Sequence, residues 1–188
     1  MPIQIDDPHA DGAHDDDPVA LLAACHARIR RYGALAVRLA AARDAPAHEI
    51  AEAAEAVRRY FGEALPLHAA DEDEILAPRL RGRDPAVDAA LDTLHAEHDE
   101  HKAPLEVLHA MLSDLVLSPE RLDVLRPALS ALAARLNEAF ERHLVHEEAV
   151  LFPALVRLLN AEERRAAVAE MRARRAAGGA AHVDLLDR

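Results

Sequence analysis

Two stretches of the chain place a histidine and a glutamate four positions apart and end on a proline. They read HAADEDEILAP, which begins at His68, and HLVHEEAVLFP, which begins at His143. Residues four positions apart lie on the same face of a helix, one turn from each other. His68 therefore projects together with Glu72, and His143 projects together with Glu147. The repetition of this register in one chain predicts that both pairs contribute to a single site.

Both pairs lie on apolar stripes of their helices. Leu65 and Ile75 flank the first pair, and Leu144 and Leu151 belong to the stripe of the second. A carboxylate that points into an apolar core costs free energy unless it is paired or binds a metal ion. One such pair alone would be a core histidine beside a boundary glutamate. Because the pair is duplicated and further histidines accompany it, a ligand site is the better interpretation.

Two other helical segments supply further histidines. His26 lies between Leu22 and Ile29 on an apolar face, and His98 is followed at seven, ten and fourteen positions by leucines. His95 and His101 flank His98, but His98 best continues the apolar stripe. The predicted ligand set comprises four histidines and two glutamates, namely His26, His68, Glu72, His98, His143 and Glu147.

This set of side chains favours a pair of metal ions. Imidazole and carboxylate without thiolate suit iron, manganese or zinc rather than copper(I) or calcium. A structural zinc site would be closed and four-coordinate. Two six-coordinate ions offer about twelve positions, of which the six side chains and a bridging oxide or hydroxide fill roughly ten. The set therefore predicts a dinuclear centre with room for a small ligand.

The composition predicts the helices that must position these residues. The chain of 188 residues is 51% hydrophobic but only 3% aromatic, with no Trp and many Ala, Leu, Arg and Glu. Unbranched side chains of this kind favour helix over strand. Four long periodic segments with short connections predict an all-α fold, an antiparallel up-down-up-down four-helix bundle over residues 18–159. Pro66 is expected to kink the second helix.

The ends of the chain have a different character. Residues 1–17 are rich in Asp and Pro and lack periodicity, so they are predicted to form a flexible acidic tail. Residues 160–188 are predicted to form a short fifth helix and a C-terminal tail. The basic run RRAAVAEMRARR of this helix, which begins at Arg164, is predicted to face solvent rather than a partner. Asn160 would cap this helix with Glu163 in a capping box, and the helix would end near Gly178.

Charge and cysteine content limit the partners and the compartment. A formal net charge of −12 argues against nucleic acid and anionic membrane as partners, because both require a basic face. A single cysteine, Cys25, excludes an internal disulfide framework and is predicted to be a small buried hydrophobic residue. The acidic N-terminus lacks the features of a secretory signal. We expect a cytoplasmic protein that is a monomer or a homodimer.

At these residues the chain resembles the hemerythrin-like family, the HHE cation-binding domains. The resemblance covers residues 18–158 and rests on the lone His26, on HAADEDEILAP, on His98 and on HLVHEEAVLFP. It implies a non-haem di-iron centre with an oxo or hydroxo bridge, although Mn or Zn also fit the side chains. The terminal ligands would be four histidines and the bridges two glutamates, namely His26, His68, His98, His143, Glu72 and Glu147.

Two departures from the oxygen-carrying hemerythrins bear on function. Those proteins have two histidines four apart in the third helix, but Lys102 stands four positions after His98. Their last helix pairs His with an Asp five positions on, whereas Glu147 follows His143 by four. The chain looks more like bacterial members linked to sensing, nitrosative-stress repair or iron handling. His101 could supply a fifth imidazole.

Three classes of function follow. The leading one is a protein that binds O2, NO or peroxide in sensing, stress response or iron handling. The second is a di-iron enzyme that reduces peroxide or NO, oxidises ferrous iron or repairs iron–sulfur clusters. The third is a metal-free helical interaction protein. The acidic residues beside the ligands, Asp71, Asp73, Glu74 and Glu148, are expected to form a solvated rim. The alternative is that one of them orients a ligand histidine.

Overall fold

The computed structural model of the protein describes residues 17–186, and the side chains of residues 17–177. Five helices account for this part of the chain, and it contains no strand. The helices are α1 (Pro18–Ala41), α2 (47–80), α3 (Pro85–Leu117), α4 (Leu122–Leu158) and α5 (Ala161–Leu186). Residues 1–16 of the predicted tail lie outside the described residues.

The first four helices form the predicted bundle. α1 packs against α2 and α4, and α3 packs against α2 and α4, so that each helix contacts its neighbours in sequence and the bundle closes between α1 and α4. This arrangement confirms the all-α, hemerythrin-like bundle. None of the helices described combines the length and apolar character needed to cross a bilayer.

Residues at the helix ends explain where the helices begin. Asp17 caps α1 by accepting a hydrogen bond from the Val19 amide (3.2 Å). Between α2 and α3, Gly82 has φ +78°, in the left-handed region that glycine adopts without strain. The predicted capping box of α5 is confirmed. The Asn160 side chain accepts from the Glu163 amide (2.9 Å), and the Glu163 carboxylate accepts from the Asn160 amide (2.8 Å).

α2 is irregular at two places, each just before a proline. Wider π-helical turns occupy Tyr60–Ala64 and Asp71–Leu76, ahead of Pro66 and Pro78. A proline ring clashes with the carbonyl four residues before it, and a π turn relieves such a clash by adding a residue to the turn. The second π turn carries Glu72. The local irregularity therefore helps to set the direction of this side chain.

α5 is longer than the sequence predicts. It continues to Leu186 instead of ending near Gly178. Each glycine costs about 1 kcal/mol relative to alanine within a helix. The surrounding residues are largely alanine, the best helix former, and no proline follows to stop the helix.

The apolar core consists of two clusters. The lower cluster lies at the end with the α1–α2 and α3–α4 connections, and it includes Ile29, Val57, Leu108 and Leu144. The upper cluster lies at the end where α5 packs, and it includes Leu22, Leu76, Leu91, Leu151 and Met171. Five residues of the predicted ligand set lie between the two clusters in sequence, and the sixth, His143, directly precedes Leu144, the last residue of the lower cluster on α4. The six residues form a buried polar layer across the middle of the bundle.

Candidate metal centre

All six predicted ligand residues converge in the polar layer. His26 comes from α1, His68 and Glu72 from α2, His98 from α3, and His143 and Glu147 from α4. Their nitrogen and oxygen atoms form two groups in which all members lie within 4.8 Å of one another. The first group is His26, His68, Glu72 and Glu147, and the second is Glu72, His98 and His143. Glu72 belongs to both groups.

The two glutamates lie between the histidines. Glu72 presents one oxygen to His68 Nε2 (3.0 Å) and the other to His98 Nε2 (3.1 Å). Glu147 Oε2 lies 3.2 Å from His26 Nε2 and 3.5 Å from His143 Nε2. All four Nε2 atoms therefore face carboxylate oxygens. This is the arrangement that bridging carboxylates and terminal imidazoles require.

Several of these atoms are buried without a hydrogen bond. They include both carboxylate oxygens of Glu72 and of Glu147, and Nε2 of His26 and His68. The residues are at most 5% exposed. A buried polar atom without a partner costs free energy, and a metal ion would satisfy all of them at once. The residues present therefore fit metal ions.

The pKa values of residues in the layer favour binding of cations. Burial lowers the pKa of His68 to about 3, so its imidazole is neutral. Burial and the nearby charge of Glu147 raise the pKa of Glu72 well above its usual value. Burial alone would raise the pKa of Glu147, but its close contact with His26 and the other nearby imidazoles lower it to about 2. At neutral pH the layer thus contains an ionised carboxylate and a neutral imidazole.

His26 behaves differently from His68. Burial acts to lower the pKa of His26, but its contacts with Glu147 and Glu148 outweigh burial and raise it. In the metal-free protein His26 therefore holds a proton more strongly than an ordinary histidine. Its ring also stacks on Phe152, with ring centroids 5.1 Å apart.

Carboxylates contact three of the histidines from behind. His26 Nδ1 lies 2.9 Å from Glu148, His98 Nδ1 lies 3.3 Å from Asp73, and His143 Nδ1 lies 2.7 Å from Glu97. Such contacts fix the ring orientation and raise the basicity of the nitrogen that binds a metal. For Glu148 and Asp73 the contacts agree with the alternative, in which a rim carboxylate orients a histidine, rather than with a purely solvated rim. Glu97 was not predicted.

Asp71 contradicts the expectation of a solvated rim. It is fully buried, and two arginines of α5 approach it, Arg175 at 2.7 Å and Arg174 at 3.4 Å. Burial raises the pKa of Asp71, and these arginines oppose the shift. The basic run of α5, which was expected to face solvent, therefore contacts the residue next to Glu72. Cys25 is buried and free, as predicted, and Arg175 also lies 3.6 Å from its sulfur.

The two histidines that flank His98 on α3 lie outside the two groups. His95 is 59% exposed and contacts Asp73 (3.2 Å), so it belongs to the rim. His101 is half-buried, and its ring lies against His143 and Phe140, with centroid distances of 5.7 and 5.0 Å. Burial and the charges of His143 and His98 lower the pKa of His101 to about 4. His101 lines a cavity of about 340 Å³ that also reaches His68, His98 and His143.

A helical bundle with a layer of histidines and carboxylates in its middle defines a class of metal-binding proteins. The sequence profile of the hemerythrin HHE cation binding domain matches residues 17–117 and again 92–185. The chain therefore belongs to the hemerythrin HHE cation-binding family, as the motifs predicted. The two matches contain the two repeated stretches, one each.

The chain is also similar to an individual protein. A relative from Haemophilus influenzae, described as an uncharacterized protein, is 26% identical over 138 residues. The similarity covers 71% of this chain and 76% of the relative. No solved structure matches the chain. Membership of the family implies a cation-binding site, while the identity of the metal and the ligand role of each residue stay predictions.

Proposed function

We propose that the protein binds two iron ions in the polar layer and that this centre takes up a small ligand, namely O2, NO or peroxide. The observation that carries this proposal is the position of Glu72, whose two oxygens face histidines of two different groups. A carboxylate shared between two sets of imidazoles suits a pair of ions. Manganese or zinc would fit the same side chains.

Each side chain has a distinct role in this proposal. His26, His68, His98 and His143 would be terminal ligands through Nε2, and Glu72 and Glu147 would be bridges. A non-haem iron pair supplies redox chemistry and affinity for diatomic ligands or peroxide. The protein contributes neutral imidazoles such as His68 and the fixed ring orientations that Glu148, Asp73 and Glu97 impose.

The cavity beside His98 and His143 supports access of a ligand to one side of the centre. Its walls are mainly apolar, and these two imidazoles are among the side chains that line it. Uptake of a ligand in sensing, stress response or iron handling fits this geometry. Reduction of peroxide or NO, oxidation of ferrous iron and iron–sulfur repair are the enzymatic alternatives at the same site. A cytoplasmic location and a monomeric or dimeric state stay predictions from the sequence.

Metal content and the electronic spectrum test the proposal. Protein loaded anaerobically with Fe(II) and then exposed to oxygen should contain about two iron ions per chain and show absorption of a bridged di-iron centre, because six ligands exceed the needs of one ion. Glu72→Ala and Glu147→Ala should each lose this spectrum. The exposed Glu120→Ala is the control and should retain it.

The variants also separate loss of metal from loss of fold. Removing a buried carboxylate does not remove apolar packing, so circular dichroism of both variants should show the helicity of the wild type. One tightly bound zinc without iron uptake would contradict a dinuclear centre. A protein that binds no metal at all would support the third class, a helical interaction protein. Turnover of peroxide or NO by the loaded protein would favour an enzyme over a binding protein.

A further inference from the structure

An apolar cleft runs between α2 and α3 beside the metal centre. Its inner part is the cavity of about 340 Å³, and its outer part is an adjoining groove of about 410 Å³. Pro66, Lys102 and Leu105 line both parts, so the two adjoin each other. We call them together the side cleft. It leads from the surface near His109 to the imidazoles of the polar layer.

The irregular part of α2 forms one wall of the side cleft. The first π turn, at Tyr60–Ala64, contributes Phe61 and Gly62, and Leu65 and Pro66 follow it. Gly62 adds no side chain, and a Cβ atom there would lie 3.4 Å from the His109 ring. The groove is therefore narrow at this point, and a larger residue would fill it.

The inner cavity is larger than O2, NO or hydrogen peroxide requires. A water-sized molecule takes about 30 Å³, so the cavity has roughly ten times that volume. Pockets that bind small organic molecules have volumes of roughly 300–1,000 Å³ and mainly apolar walls with a few polar groups. The inner cavity falls in this range, and the outer groove extends it.

Imidazoles and apolar side chains together line the inner cavity. The imidazoles of His98, His101 and His143 line it together with Leu65, Leu105 and other apolar side chains. Within the described part of the chain, His101 contacts aromatic rings and makes no hydrogen bond. Its imidazole is thus free to donate to, or accept from, a ligand beside the centre. A ligand with an apolar body and one polar end matches this lining.

The charges around the mouth disfavour an anionic ligand. Lys102 is already paired with Asp99 (2.6 Å), and Asp73 and Glu74 also line the cavity. The whole chain has a formal net charge of −12. An anion would therefore approach against the field of the protein, and a neutral molecule would not.

We propose that the side cleft binds a neutral organic hydroperoxide, with its apolar body between α2 and α3 and its oxygen end at His101. The cleft and His101 are the grounds for binding. The choice of a hydroperoxide as the polar end rests on the proposed function of the metal centre. The ligand is thus larger and more apolar than the diatomic molecules and hydrogen peroxide.

Binding is tested on the metal-free protein with unreactive probes. The probes are 2-phenyl-2-propanol, the alcohol that corresponds to an aromatic hydroperoxide, and tert-butylbenzene, in which a methyl group replaces the hydroxyl. In an NMR titration, wild-type protein should bind the alcohol saturably. Leu105→Trp should abolish this binding because the indole fills the cleft. Val107→Trp, at a position that is 54% exposed on the same helix, is the matched control and should bind as the wild type does.

A second variant tests the polar end. His101→Leu should weaken binding of the alcohol roughly fivefold, the effect of one lost hydrogen bond, and leave binding of tert-butylbenzene unchanged. If Leu105→Trp loses helicity, Ala69→Phe fills the same cavity from α2 and takes its place. Absence of saturable binding by the wild type, or unchanged binding by the cavity-filled variant, would overturn the proposal. A protein that binds the alcohol but never loads iron would retain the cleft and lose the proposed function. A protein that loads iron but does not bind the alcohol would retain the proposed function and overturn the proposal for the side cleft.

Discussion

The orientation of single side chains in the polar layer depends on carboxylates that do not face the metal site. Glu97 is the clearest case, because its contact with His143 Nδ1 is 2.7 Å and joins α3 to α4. The substitution Glu97→Gln keeps the shape of the side chain but removes its negative charge. We expect the affinity for Fe(II), measured anaerobically by competition with a chelator, to fall roughly 10- to 100-fold. Glu100→Gln, an exposed neighbour on the same helix, should change it little.

The importance of Glu97 could not be predicted from the sequence. His68, Glu72, His143 and Glu147 were found because their spacing is local and places them on one helix face. The contact of Glu97 with His143 joins residues far apart in the chain. Its adjacency to His98 was the signal available, and it did not identify His143 as the partner. An equal affinity in Glu97→Gln and the wild type would show that this contact does not support the site.

Metal affinity should depend on pH through residues that hold protons in the metal-free layer. The pKa values of Glu72 and His26 are raised, so both must release protons before they bind a metal ion. His68, with a pKa lowered to about 3, has no proton to release near neutral pH. Affinity should therefore fall as pH decreases through the raised pKa values.

Calorimetric titration with Zn²⁺ in buffers of different ionisation enthalpy measures the protons released. More protons should be released at pH 6 than at pH 8, and the affinity should be lower at pH 6. His48→Ala, which changes an exposed histidine, should behave as the wild type does. The same affinity at both pH values would show that these groups do not hold protons in the metal-free site.

Among the helices, α5 contacts a buried residue beside the polar layer, which its basic composition does not indicate. Its basic run suggested a solvated face, but Arg175 lies 2.7 Å from the fully buried Asp71, the residue before Glu72. Periodicity could not reveal this, because a residue next to an apolar stripe is buried only if another helix covers it. The bundle itself could be predicted, since its stripes and connections are features of each helix alone.

Loss of this ion pair should destabilise the protein. Arg175→Met leaves the buried Asp71 carboxylate with Arg174 alone, at 3.4 Å, and should lower the free energy of unfolding by roughly 3 kcal/mol. Asp71→Asn combined with Arg175→Met should recover much of this loss, because no buried charge is left unpaired. Urea unfolding measures the stability of the single and the double variant. Arg165→Met, which changes an exposed residue of α5, is the control. A loss below about 0.5 kcal/mol in the single variant, the range of an exposed pair, would show that α5 is not anchored here.

The molecule as a whole combines a repeated motif with a closed bundle. The stretches that begin at His68 and His143 occupy α2 and α4, which are separated in the bundle by α1 and α3. Each stretch supplies one imidazole and one carboxylate to the layer. The two remaining helices supply one histidine each, so the site is complete only when all four helices pack. The sequence could indicate this symmetry, but the π turns of α2 and the side cleft arise from packing around prolines and could not be predicted from periodicity.

The division of the core into two clusters by the polar layer has a consequence for cooperativity. Without metal, the layer contains buried atoms that lack hydrogen bonds, so it joins the two clusters weakly. Regions that are weakly coupled open as separate units, each with its own amide hydrogen exchange. In the metal-free protein, amides around Leu76 and Met171 should therefore exchange at rates different from those around Val57 and Leu108. Metal binding should couple the two clusters into one slowly exchanging unit. The two halves of the bundle would then unfold cooperatively.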